Sequence, residues 1–304
     1  MLIRNYLFHR VSDETDNEWP PMKPILFDRI IRFFKKEYNV INIEEFLENS
    51  AAFLKSSKPL ATVLFDDGYK DNIDFAAPIL QKHKCPASFY VVTDSITRNN
   101  PTWTFLLDHI LQKTSKRDIN LDLSIVPGEF KSINLSDKTK MSKVKPWMKT
   151  LSNTFRVQVL EEIKDQCPDV DIPYDKMMDW DDVRQLYKAG FSIGSHSHTH
   201  PILASLEDET EIEKELSISY EILTRELGKT PFTISYPNGG YDERVLRLSE
   251  KIGYKYGLAV ETKFFRYGQD NLMAIPRVEL YQEPWWKARL RMTSFYQSSK
   301  ELWR

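Results

Sequence analysis

Short apolar runs alternate along this chain with segments of helical period, and that alternation constrains the fold more than any other feature. The runs at 61–65, 87–92, 191–194, 232–236 and 256–260 have the length and composition of strands buried on both faces. Ile30, Ile31, Phe33 and Phe34 mark a helix ahead of the first of them. Ile212, Leu216, Tyr220 and Leu223 fall at i, i+4, i+8 and i+11, an apolar stripe down one side of a long helix. Asp242 is placed to cap a helix running to Lys251, and Gly253 follows at the expected stop. Strands alternating with helices predict a parallel α/β architecture.

One stretch breaks the rhythm. Within residues 95–178, the segment 114–150 is rich in Lys and Ser and weakly periodic, while 103–107 and 155–160 on either side look helical. We read residues 1–304 as a single domain carrying an insertion at about 95–178 that lies on it without a core of its own. A chain of this length buries a large core without staples. Its two cysteines, Cys85 and Cys167, are too few for a disulfide framework and read as packing thiols. A net charge of −2 argues against a dedicated nucleic-acid binder. Arg4 and Asn5 interrupt the apolar start, so no signal-peptide core is read there. No apolar run reaches the length of about 18 residues needed to span a bilayer, so a cytoplasmic, reduced setting is expected.

Two motifs carry chemistry. The first is Leu-Phe-Asp-Asp-Gly-Tyr at 64–69, where Asp66 and Asp67 follow a buried strand and Gly68 permits an unusual turn. Adjacent residues leaving a strand point in different directions, so one carboxylate is free to bind a metal while the other acts as a base. The plain alternative is a polar turn. The second is Gly-Ser-His-Ser-His-Thr-His-Pro at 194–201, which gathers three of the six histidines just after another strand. Its plain alternative is a histidine-rich loop that binds nothing. In an α/β barrel, strand ends gather at one face, which brings the two motifs together. A carboxylate with two imidazoles suits Zn²⁺ or a similar divalent ion and leaves positions open for water and substrate.

These residues resemble the polysaccharide deacetylase family of metal-dependent carbohydrate N-deacetylases. Its first motif, Thr-Phe-Asp-Asp-Gly, is similar to 64–68 with Leu64 for Thr, and its second, His-Ser/Thr-x-x-His, is similar to 196–200. The segments 77–80, 86–91 and 180–196 match as well, and the likeness spans about 5–100 and 178–280. The resemblance implies a distorted (β/α) barrel with the helical insertion, Asp66 as general base, and Asp67, His196 and His200 as ligands of Zn²⁺ or another divalent ion. It implies hydrolysis of the linear amide of an N-acetylated sugar in a glycan or glycoconjugate.

The chain departs from the family in two places. The third motif, Arg-x-Pro-Tyr/Phe-Gly, reads Ser235-Tyr236-Pro237-Asn238-Gly239, without the arginine that orients the base. Arg277, in 275–279, is the candidate replacement, the alternative being a surface salt bridge. No histidine follows His200, where the family often carries a C-terminal acid. Of His9, His83 and His109, we favour His9 as the general acid, because 7–11 resembles the Tyr-His-Arg opening of a subset of these enzymes. His83 reads as solvated, and the alternative for His9 is a core histidine. The backbone N–H of Asn238 is the candidate oxyanion donor. Tyr69, Trp180, Tyr236 and Tyr241 are candidates for stacking on sugar rings, with core packing the alternative for Trp180. The basic, aromatic segment 284–296 reads as a closing helix, with membrane-surface contact the less favoured alternative. Two further readings stay open: a carbohydrate-binding protein on the same fold with weakened turnover, and a hydrolase of an imide or cyclic amide.

Overall fold

The computed structural model describes residues 1–17, 19–53 and 55–293. Its strands are β1 (Leu2–Phe8), β2 (Asn39–Val40), β3 (Leu60–Phe65), β4 (Ser88–Val91), β5 (Asp118–Asn120), β6 (Ser132–Asn134), β7 (Ser192–Ser195), β8 (Thr233–Ser235), β9 (Tyr256–Leu258), β10 (Phe265–Arg266) and β11 (Val278–Glu279). The helices are α1 (Pro24–Glu37), α2 (Ile43–Glu48), α3 (Ala77–Lys82), α4 (Thr93–Arg98), α5 (Trp103–Lys113), α6 (Lys138–Thr150), α7 (Asn153–Gln166), α8 (Trp180–Lys188), α9 (Glu209–Leu227), α10 (Glu243–Ile252) and α11 (Trp285–Arg291).

The main sheet runs β10-β1-β3-β4-β7-β8-β9, with β2 added beside β3 and β11 beside β1. Every pairing from β1 through β9 on that path is parallel. The sheet curls. Ile275 bridges to Leu258 of β9, and three residues on β11 pairs with β1, so this segment joins the two edges. The fold is therefore an α/β half-barrel dominated by parallel strands, as expected. All six residues of β3 are buried, which is what a strand covered on both faces requires. α1 buries Leu26, Phe27, Ile30, Ile31 and Phe34, each contributing roughly 1.5–3 kcal/mol of apolar transfer. Asp242 caps α10 by accepting from the Val245 N–H, and α10 stops at Gly253. Parallel strands end on one side, so the residues following β1, β3, β7 and β8 face each other across the barrel mouth.

The insertion differs from its expectation. Leu107, Ile119, Ile133, Val144, Met148 and Ile163 are fully buried members of one apolar cluster drawn from 107–167 alone. The segment therefore has a core of its own, with β5 and β6 pairing antiparallel beneath α5, α6 and α7. The weak periodicity misled because α6 places its apolar residues among lysines, burying only Val144 and Met148. Buried Arg156 of α7 donates to the Leu151 carbonyl at 2.6 Å and to Ser205 Oγ at 3.0 Å, tying the insertion to a barrel loop.

α11 packs on α1: Trp285 meets Phe33 edge-on at 5.7 Å, and the Arg29 guanidinium lies 4.4 Å from the Trp285 ring centre. Trp286 is exposed, and residues 294–296 of the basic aromatic segment lie outside the described residues. Among the described residues, no helix is long and apolar enough to cross a membrane. Cys85 and Cys167 are buried and unbridged, and burial pushes the Cys85 thiol up to about 12.

Ile163→Ala is expected to destabilise the insertion by about 2–5 kcal/mol. Hydrogen exchange should show protection lost first within 107–167 while β3 and β4 keep theirs.

Candidate active site

β3 delivers Asp66 and Asp67, and the chain then turns sharply: Asp67 has φ 75° and Gly68 φ 87°. β7 delivers His196, after which Ser197 and His200 take φ 64° and 62°. Asn238, after β8, has φ 55°. Left-handed conformations at Asp, Ser and His cost of order 1–3 kcal/mol each and persist only where surrounding contacts hold them. Here the contacts are visible. Ser197 Oγ accepts from the His200 N–H at 3.1 Å, and Glu215 accepts from the N–H groups of His198 and Thr199 at 3.0 and 2.8 Å. The carbonyls of Ser197 and His198 accept from Thr93 and Asp94 at the start of α4.

The result is a convergence of donors. Asp67 Oδ1 lies 3.3 Å from His196 Nε2 and 3.2 Å from His200 Nε2, and all three groups are buried. One ligand atom from each falls within 4.8 Å of the others. His196 Nδ1 sits 2.7 Å from the Ser235 carbonyl, which makes that nitrogen a donor and leaves Nε2 as the atom that faces Asp67. Among the described residues, His200 Nδ1 is buried with no hydrogen-bond partner. Burial favours the neutral form of His200 and outweighs the pull of Asp67, holding its pKa below the usual imidazole range. The donor set, with two imidazole nitrogens and an ionised carboxylate, fits a divalent ion of the Zn²⁺ type. His198 stands apart, with Nδ1 2.9 Å from Thr93 Oγ1.

Asp66 is held differently. Arg277 grips it with both terminal nitrogens, Nη1 to Oδ1 at 2.8 Å and Nη2 to Oδ2 at 2.9 Å. Ser235 Oγ donates to Oδ2 at 2.9 Å and accepts from Arg277 Nη2 at 2.8 Å. Burial raises the Asp66 pKa, but Arg277 and then His196 outweigh it and keep the carboxyl below its usual range. Arg277 is fully buried, so the surface salt bridge is excluded for it. The guanidinium reaches Asp66 from the strand-joining segment before β11, not from the third motif.

His9 leaves β1 at the same mouth. Its Nδ1 lies 3.3 Å from Glu279 Oε1, and its ring meets Trp19 edge-on at 5.2 Å. Asn72 donates to the His9 carbonyl at 2.7 Å, while Asp71 accepts from the Val11 N–H and from Arg10, so the loop after β1 is fastened to the loop after β3.

His9, Asp66, Asp67, His196, His200 and Asn238 line one cavity of about 290 Å³. None of the four aromatic candidates for sugar stacking lines this cavity. Tyr69 is fully buried among Trp19 and Phe105, with Arg10 over its ring. Tyr236 is fully buried against Gly257, where a Cβ would come within 2.2 Å of the tyrosine hydroxyl. Trp180 packs on the core and donates to Thr97 Oγ1 at 3.1 Å. Tyr241, also off the cavity, donates to Glu261 at 3.1 Å. Apolar rings beside a motif are claimed by the core more readily than by a ligand. His83 is partly exposed and paired, its Nε2 lying 2.9 Å from Asp28 Oδ1. His109 stacks on Phe105, away from the cavity.

The cavity wall also holds Trp19, Thr104, Lys145, Lys149, Val260, Glu279 and Tyr281, which sequence reading missed. Glu279 had a signal: it stands two residues after Arg277, on the same side of an extended segment. The lysines had none, because they come from the insertion.

Residues 54–257 match the sequence profile of the family described as polysaccharide deacetylase. An uncharacterised 30.6 kDa protein from the fumA 3′ region of Geobacillus stearothermophilus is 32% identical over 101 residues, 30% of this chain and 38% of that protein. The fold is similar to that of the Streptococcus pyogenes deacetylase PplD in complex with acetate, at TM-score 0.64 and 16% identity over 96% of this chain and 98% of the other. It is also similar to a de-N-acetylase from Aggregatibacter actinomycetemcomitans, at TM-score 0.62 and 16% identity over 96% and 100%.

Arg277→Met leaves a buried carboxylate unpaired and is expected to cost about 3–5 kcal/mol at neutral pH. With the guanidinium gone, burial prevails and the Asp66 pKa rises above its unfolded value. The deficit should therefore shrink as pH falls and Asp66 takes up a proton, measured by urea denaturation between pH 4 and pH 7.5. A deficit independent of pH would contradict this account of Asp66.

Proposed function

The chain belongs to the polysaccharide deacetylase family, and from that premise we propose that it is a metal-dependent hydrolase removing the acetyl group from an N-acetylated sugar of a glycan or glycoconjugate. The observation that carries the reading is a pair of adjacent carboxylates with separated duties: Asp67 facing two imidazoles and Asp66 gripped by Arg277. That second grip also favours turnover over mere sugar binding, since it supplies the arginine the third motif lacks.

Asp67, His196 and His200 would hold Zn²⁺ or another divalent ion, which when bound polarises an amide carbonyl and eases deprotonation of the attacking water. Asp66, kept ionised by Arg277, accepts the proton of that water. Serving as a base rather than a ligand requires a carboxylate that stays charged and does not swing, and the two-pronged guanidinium contact with Ser235 supplies both conditions. The backbone N–H of Asn238 is the candidate donor to the oxygen that gains charge as the carbonyl carbon becomes tetrahedral. His9 is the candidate acid. Its Nδ1 is engaged by Glu279, which leaves Nε2 to protonate the departing amine as the C–N bond breaks. Acetate and a free amino sugar result.

Acetate release from chitooligosaccharides should vanish after treatment with a chelator and return when Zn²⁺ is restored. Asp66→Asn should lower kcat by roughly 10²–10⁴-fold without loss of bound metal. His196→Ala combined with His200→Ala should lose metal and activity together. Full turnover by protein freed of metal, or by Asp66→Asn, would overturn the reading.

A further inference from the structure

α6 belongs to the insertion, yet it walls the cavity of the barrel. Its thirteen residues, Lys138–Thr150, contain five lysines and no acid, in a chain whose net charge is −2. Two of those lysines, Lys145 and Lys149, stand one helical turn apart and line the cavity together with Thr104, the carboxylates and the histidines. A cation in the last turn of a helix is favoured by the helix dipole, which accounts for a lysine at 149 but not for a second one turn earlier on the same side. Like charges at this spacing repel each other. Lys149 is exposed at the rim of the cavity, and partial desolvation there, followed by Lys145, pushes its ammonium below its usual range.

The counter-charges are unequally shared. Lys145 contacts Asp108 of α5. Among the described residues, no carboxylate oxygen lies within ion-pair distance of Lys149. The acids of the cavity are already engaged: Asp66 by Arg277, Asp67 by the two imidazoles, and Glu279 by His9 and by the Tyr281 hydroxyl, which donates to it at 2.6 Å. Glu279, Asp108 and Asp67 also attract Lys149, each from beyond ion-pair distance. A cavity rim that sets two lysines side by side, one of them with no acid at ion-pair distance among the described residues, offers a basic face to an anion brought by the ligand.

We propose that the substrate carries an oxyanion, a phosphate or a carboxylate, close to the acetamido group, and that Lys149 receives it with Lys145 alongside. The proposal rests on the deacetylase reading and narrows it from N-acetylated glycans in general to anionic ones. The insertion then serves specificity: it lends the barrel a basic wall that the barrel's own sequence lacks.

Acetate release by zinc-replete protein is measured on chitotetraose, its 6-phosphate and its 6-carboxylate, for the native chain, Lys149→Gln and Lys149→Arg. The expected result is a higher kcat/KM on at least one anionic probe than on the neutral one. That preference should fall roughly tenfold in Lys149→Gln, the usual weight of a charged hydrogen bond, and persist in Lys149→Arg. It should also weaken as salt is raised. A preference confined to one anionic probe assigns the group as phosphate or carboxylate. Equal turnover of neutral and anionic probes by the native chain overturns the proposal and leaves the deacetylase reading standing, as does a preference that survives Lys149→Gln. Absence of acetate from all three probes overturns the deacetylase reading and this proposal with it.

Discussion

A single carboxylate oxygen, Asp67 Oδ1, is approached by two imidazole nitrogens inside a site that water barely reaches. That meeting is costly for the chain alone. It desolvates three polar groups, leaves His200 Nδ1 without a partner among the described residues, and demands left-handed backbone at Asp67, Ser197 and His200. Much else in the molecule serves to hold it. Parallel strands bring the two loops to one mouth, Ser235 orients His196 from a third strand, and Glu215 and Ser197 clamp the histidine loop. A polar cluster bought at that level of strain is the signature of a site whose stabilisation arrives with a ligand.

Asp66 answers to a separate constraint. Adjacent on the chain, the two carboxylates would otherwise share one environment and compete for protons. The fold separates them by giving Asp66 a buried guanidinium and a hydroxyl, while Asp67 faces the imidazoles of His196 and His200. Environments that divide two like groups are the means by which one site carries both a ligand and a base.

The barrel was readable because its strands are short apolar runs and its helices carry clean stripes. Asp66, Asp67, His196 and His200 were readable because they are packed into two short motifs, and Arg277 because the third motif lacked its arginine. The aromatic residues were not, since a tyrosine beside a motif looks the same in sequence whether it faces a cavity or Gly257. Nor was the insertion's core: α6 hides two buried side chains among five lysines. Lys145 and Lys149 reach the cavity through long-range packing, which leaves no local pattern in the chain.

The central claim is that one divalent ion is held by three named atoms, and the most direct measurement is anomalous diffraction at the zinc edge from crystals of zinc-replete protein. The account predicts a single strong peak about 2.0–2.2 Å from Asp67 Oδ1, His196 Nε2 and His200 Nε2, with Asp66 remaining on Arg277 outside the coordination shell. A mouth without a peak, or an ion held by Asp66 in place of Asp67, would contradict it.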